Sequence, residues 1–149
     1  MGIFDAVNIS ATGLTAQRLR MDVIAKNIAN VNTTRTENGL PYRRQVVVFE
    51  ENCKHKIFSQ FLSKESRRLF LKEGGVKVKG IEDDRSSFKR TYDPGHPDAD
   101  EDGYVLMPNV DTVIEMVNMI SATRAYEANV TALNAAKGMA QRALEIGRA

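Results

Sequence analysis

Apolar residues recur in alternating steps of three and four at both ends of the chain and lose that rhythm in between. Toward the end, Met116, Met119, Thr123, Tyr126, Val130, Leu133, Lys137, Ala140 and Leu144 fall on one stripe, and seven of these nine are apolar. The spacing predicts a helix over 112–146 whose seam is as narrow as that of a coiled coil. Gly138 is its one internal glycine and no proline interrupts it. Thr112 and Glu115 have the spacing of a capping box, and Gly147 stands where a helix usually stops. Such a helix is roughly 50 Å long, about twice the diameter of a compact domain of this size. Its seam needs a second long helix beside it.

Residues 3–31 supply one. Phe4, Val7, Ala11, Leu14, Arg18, Met21, Ala25 and Ile28 repeat the same alternation, apolar except at Arg18. Asn8, Ser10, Thr12, Gly13 and Thr15 load its first turns with weak helix formers, so this segment should be helical mainly where its seam is covered. The polar run Ala29 to Thr34 should end it, because short side chains there compete for backbone hydrogen bonds. In the middle, Gln45–Phe49 is a β-branched run. Gly75–Ile81 alternates apolar with cationic, the period of a half-buried strand. Between them Ile57, Phe58, Phe61, Leu62, Leu69, Phe70 and Leu71 are interleaved with basic residues, a pattern that fits either an amphipathic helix or further strands. The expected fold is therefore α+β. Long N- and C-terminal helices form a coiled-coil-like α-hairpin over 1–33 and 111–149, and 34–110 forms a small β-rich domain with an extended acidic loop.

Composition adds little and excludes more. The 149 residues are 42% hydrophobic and 27% charged with a formal charge of +2, which implies no general attraction to nucleic acid or anionic membrane. Basic residues are dense from Arg43 to Arg90, but acidic ones lie among them, as on a solvated face. Cys53 has no second cysteine with which to pair. The start lacks the basic-then-apolar pattern of a secretory signal, Ala6 stands where myristoylation wants Ser or Thr, and no run is long enough to span a membrane. Neither membrane insertion nor a cleaved leader is expected.

One stretch resembles a metal motif. Asp98, Asp100, Asp102 and Gly103 match the first half of an EF-hand loop, but Asn109 stands where a bidentate glutamate belongs, and Pro94 and Pro97 occupy the place of the entering helix. His55 and His96, the two histidines, lack a spaced metal partner, and there is neither a nucleophile elbow nor a phosphate-binding loop. No catalytic residue, metal site or cofactor is expected.

The run from Tyr92 to Asp111 carries Pro94, His96, Pro97, Gly103, Pro108 and Asn109, and continues into Glu115, Arg124, Tyr126 and Asn129. It resembles the proximal rod proteins of the bacterial flagellar basal body, the C-type rod subunits of the flagellar rod and hook axial family. Ser10 to Gln17 and the run Asn27-Ile-Ala-Asn-Val-Asn-Thr33, with Asn27, Asn30 and Asn32, are similar to the signature shared by rod and hook proteins. Tyr42-Arg43-Arg44 and Gly75-Val76-Lys77-Val78 fit the family's central part. Lys26 departs from a frequent asparagine, and 51–73 is longer and less typical than the family's usual segment.

The resemblance implies a non-enzymatic structural subunit of the basal-body rod in the periplasm, exported through the flagellar type III apparatus without cleavage of a signal. Its implied partners are other rod subunits, copies of itself, the rod-base or MS-ring adaptor and the export apparatus. The seam residues Val7, Leu14, Met21, Ile28, Met116, Met119, Tyr126, Val130, Leu133 and Leu144 are then expected to pack subunits together. The polar seam positions Arg18, Thr123 and Lys137 are expected at contacts between subunits or facing a watery channel. The alternative is a soluble helical-hairpin adaptor that binds calcium weakly at the acidic loop.

Overall fold

The computed structural model describes residues 3–53 and 73–147. The apolar and basic stretch from Ile57 to Leu71, whose helix or strand character sequence left open, lies outside the described residues, as does His55. Two long terminal helices and small central antiparallel sheets make an α+β fold: α1 (Ile3–Ala29), β1 (Gln45–Cys53), β2 (Glu73–Asp83), β3 (Lys89–Tyr92), β4 (Tyr104–Met107) and α2 (Thr112–Ile146). No helix among the described residues is long and apolar enough to cross a membrane.

Both helices run where the periodicity placed them, and their ends have local causes. Asn30 closes α1, its backbone N–H and its side-chain amide both donating to Lys26 O at 3.1 and 2.9 Å. The start of α2 differs from the expected capping box. Asp111 is the cap, with Oδ1 accepting from the N–H groups of Val113 and Ile114 at 3.0 and 3.3 Å. Glu115, the other half of that box, turns inward instead.

Strand β1 pairs with β2, and β3 with β4. The second pair is antiparallel, with Lys89 opposite Met107 and Tyr92 opposite Tyr104. The sequence carries no signal for β3 and β4. All four residues of β3 are exposed and only Val105 of β4 is buried, so neither offers an apolar alternation to detect. The rings of Tyr92 and Tyr104 meet edge to face at 5.3 Å, and Gly103 takes φ +78° where a Cβ would press on Tyr92 and Pro94.

The chain divides into two compact units. One contains residues 1–18, 49–79 and 124–149. There Gly13 lies under the side chain of Asn129, and Ala16 and Ala136 are buried. Thr12 Oγ1 donates to Ile9 O at 2.7 Å and accepts from Val76 N at 3.2 Å. Gly75, at φ +80°, leaves that hydroxyl room which a side chain would occupy. The other unit contains residues 19–48 and 80–123. Its buried apolar residues are Val23, Ile24, Tyr42, Val105, Val110 and Ala122. Within it Thr123 Oγ1 lies 3.6 Å from Met21 Sδ and Asn27 Nδ2 lies 3.0 Å from Glu115 Oε2, so α1 and α2 run antiparallel.

Candidate functional site

The second unit buries two polar side chains, Asn27 and Glu115, each only 1% exposed. Asn27 sits in the last turns of α1 and has all four of its hydrogen-bonding capacities used. Its Nδ2 donates to Gln45 O at 2.8 Å and to Glu115 Oε2 at 3.0 Å, while its Oδ1 accepts from Gln45 N and Tyr42 Oη, each at 2.9 Å. One side-chain amide thus pairs with both the N–H and the C=O of Gln45, as a neighbouring strand would.

Glu115, in the first turns of α2, is the other centre. Its Oε1 accepts from Arg44 Nε at 3.0 Å, from Arg44 Nη2 at 2.7 Å and from Asn118 Nδ2 at 3.2 Å. The third guanidinium nitrogen, Arg44 Nη1, reaches Asp84 Oδ2 at 3.2 Å. Asn109 completes the set: its Oδ1 accepts from Arg44 N at 2.8 Å and its Nδ2 donates to Asp84 O at 3.1 Å and to Ser86 Oγ at 2.8 Å. A buried glutamate is tolerated because a guanidinium and two amides face it.

Two titrations are shifted in the cluster and one at the neighbouring helix cap. Burial, then the negative charges of Asp83 and Glu115, push the Tyr42 hydroxyl up. The backbone bond from Ser86 and the contact with Arg44 hold Asp84 below the usual carboxylate range. The N–H of Ile114 and then Lys89 do the same for the capping Asp111. Stability from the two carboxylates is present above their unfolded value of about 4 and is lost as pH falls through their lower folded values. Stability from Tyr42 is present below about 10 and is lost as pH rises through its higher folded value. Melting temperature against pH should therefore form a plateau falling at both ends, and Tyr42→Phe should flatten the alkaline limb.

The sequence-selected residues divide into three groups. Asn27, Asn109 and Glu115 enter the cluster, and Pro108 is buried beside Asn109 in sequence. Asn30 serves the helix end, while Asn32 and Arg124 are exposed. In the loop before β4, Pro94 and Pro97 are exposed, and His96 Nδ1 accepts from Asp98 N at 3.1 Å. Asp98, first residue of the partial EF-hand match, has its carboxylate taken by the Thr34 hydroxyl at 2.8 Å and stands 3.9 Å from Arg35. Among the described residues no three acidic, histidine or cysteine side chains converge on a metal position.

The seam residues lie beside the line buried within the chain. The fully buried positions of α2 are Glu115, Ala122 and Ala136, each one residue before Met116, Thr123 and Lys137, which are exposed. Met119, Tyr126, Val130 and Leu133 are half-buried and Leu144 is exposed. On α1, Val7, Leu14, Met21 and Ile28 are half-buried, Arg18 is exposed, and Ala16 and Val23 are buried. Small residues occupy much of the buried line because they let backbones approach. The larger ones flank it.

Tyr42 and Arg44 stood in the sequence resemblance without a role, and nothing in their spacing pointed to Asn27 or Glu115.

Two family models match the chain: "Flagella basal body rod protein" over residues 8–35 and "Flagellar basal body rod FlgEFG protein C-terminal" over residues 101–146. The flagellar basal-body rod protein FlgC of Bacillus subtilis is 49% identical over 152 residues, covering 99% of this chain and 100% of the relative. FlgC of Borreliella burgdorferi is also 49% identical, with 98% of each chain covered. FlgC of Escherichia coli O157:H7 is 39% identical over 99% of this chain and 100% of its own length.

Proposed function

The chain belongs to the flagellar basal-body rod protein family, and from that premise we propose that it is a link in a helically stacked drive shaft that carries motor torque and encloses the export channel. As a structural, non-enzymatic rod protein it works in the basal body and assembles with other flagellar rod subunits. In the proposed arrangement the segments 1–33 and 111–149 pack as the axial tube and 34–110 faces outward. The neighbours are further rod subunits, copies of this chain and the adaptor at the base of the rod. Delivery is through the flagellar type III apparatus, without cleavage.

The observation that carries this reading is the uncovered apolar face of α2. Val113, Ile114, Val117 and Ile120 are between 57% and 70% exposed within two turns. Met139, Leu144 and Ile146 are likewise exposed at the other end of the helix. Large apolar side chains grouped in this way mark a surface completed by another molecule. The seam residue Met116 borders the first of these groups, Leu144 is exposed near the other end, and the cationic Lys137 lies between them along the same helix.

Deleting the gene should leave cells non-motile and without hooks. Ile120→Asp should reproduce that phenotype while changing the unfolding free energy of the purified subunit by less than about 0.5 kcal/mol, because its side chain is already in water. Hooks of normal number in Ile120→Asp cells would remove this face from the interface. Normal hooks in the deletion strain would remove the function. The calcium-binding adaptor reading gives way to the family membership, and the Asp98 carboxylate is already committed to Thr34.

A further inference from the structure

The polar cluster is more than its stability requires. Burying a charged pair gains little over well-packed apolar side chains, and often nothing. What it supplies, and apolar contact does not, is direction, since the hydrophobic effect is non-directional while each hydrogen bond fixes an angle. Asn27 grips Gln45 at two points, its N–H and its C=O, so it fixes the orientation of β1 as well as its position. Asn109 grips Arg44 N and Asp84 O in the same manner, holding the start of β1 against the end of β2. Arg44 joins both grips to α2 through two bonds to Glu115, and Glu115 returns to Asn27. The bonds form a closed ring through α1, β1, the end of β2 and α2, with no single bond about which one element can turn. Its partners are far apart in sequence, so the ring serves no local helix.

We propose that the ring of Asn27, Arg44, Asn109 and Glu115 is the torsional joint of the subunit, fixing the angle at which the central strands are set on the two helices so that torque passes between them without yielding. The inference rests on the drive-shaft reading above. In Glu115→Gln the volume is kept, but an amide N–H₂ replaces one acceptor oxygen and faces a donor. In Arg44→Lys the charge is kept and the planar fork is lost. Both variants should fold and build hooks.

Two measurements test the joint. In the purified full-length subunit, amide exchange at Arg44 and Gln45, whose N–H groups end on Asn109 and Asn27, should rise about tenfold or more in both variants. In cells, swimming speed should match wild type in dilute buffer and fall more steeply as an inert polymer raises viscosity. Lys77→Met, which breaks an exposed ion pair with Glu50, is the control and should follow wild type in both. Unchanged exchange overturns the proposal. So does a viscosity dependence parallel to wild type, which would make the ring a fold element alone, and so does absence of hooks in both variants, which would assign it to assembly. Failure of the drive-shaft reading shows separately, as hooks in the deletion strain.

Discussion

Glu115→Ala should lower the unfolding free energy of the purified subunit by about 3 kcal/mol, the low end of the cost of removing one partner from a buried ion pair. The reasoning turns on what is left behind. Arg44 loses both bonds to Oε1 but keeps Asp84, and its side chain is 24% exposed, so water can reach part of it. Asn27 has no such relief, since it is almost fully buried and one of its two donors then points at a cavity. Asn118 loses a bond as well but is only half-buried. The lost apolar burial of the glutamate stem adds a smaller amount. Urea unfolding followed by circular dichroism measures the change. A loss below about 1 kcal/mol would mean that water already satisfies the cluster.

The same residue shows what sequence can and cannot reveal. The helices were legible because a seam repeated over many turns is a strong signal, and α2 runs over the whole predicted span from Thr112 to Ile146. Strand β1 was found through its β-branched run, although it continues past Phe49 to Cys53. Strands β3 and β4 were not found, because a two-stranded ribbon with exposed faces needs no apolar alternation. Glu115 was visible as a helix-start signal. The signal points to capping because Thr112 stands three residues before it, whereas Asp111 does the capping and frees the glutamate to point inward.

The line buried within the chain runs beside the seam for a related reason. Periodicity finds the large apolar residues, but those fully buried in this chain are often small, Ala16, Ala122 and Ala136 among them. An alanine or glycine on a helix carries little hydrophobic signal. It marks a close approach only once the partner helix is known, as Gly13 does beneath Asn129. The cluster was the least legible part. Asn27 and Glu115 are 88 residues apart, and an asparagine near a helix end is far more often a cap than a buried bridge. The family resemblance singled out Asn27, Asn109 and Glu115, and only the fold supplies the reason they belong together.

Asn27→Asp should reverse the acid response of that cluster. The substitution keeps the shape and puts a carboxylate where the amide donated, about 3 Å from Glu115 Oε2 and from the carbonyl of Gln45. Near neutral pH two carboxylates then share a buried site, and the loss of stability should equal or exceed that of Glu115→Ala. Repulsion and burial push the new carboxyl above its unfolded value, so its contribution is present below that value and lost as pH rises through the folded one. Protonated, it can donate one of the two bonds that the amide made. Wild type behaves in the opposite sense, because Asp84 and Asp111 titrate low and stability falls as they take up protons. The gap in unfolding free energy between the variant and wild type should therefore close between about pH 7 and pH 4, by about 1.4 kcal/mol for each unit by which the new carboxyl is raised. A gap that stays constant with pH would show that the introduced carboxyl remains ionised beside Glu115, which requires water or a cation inside the cluster and would contradict its burial.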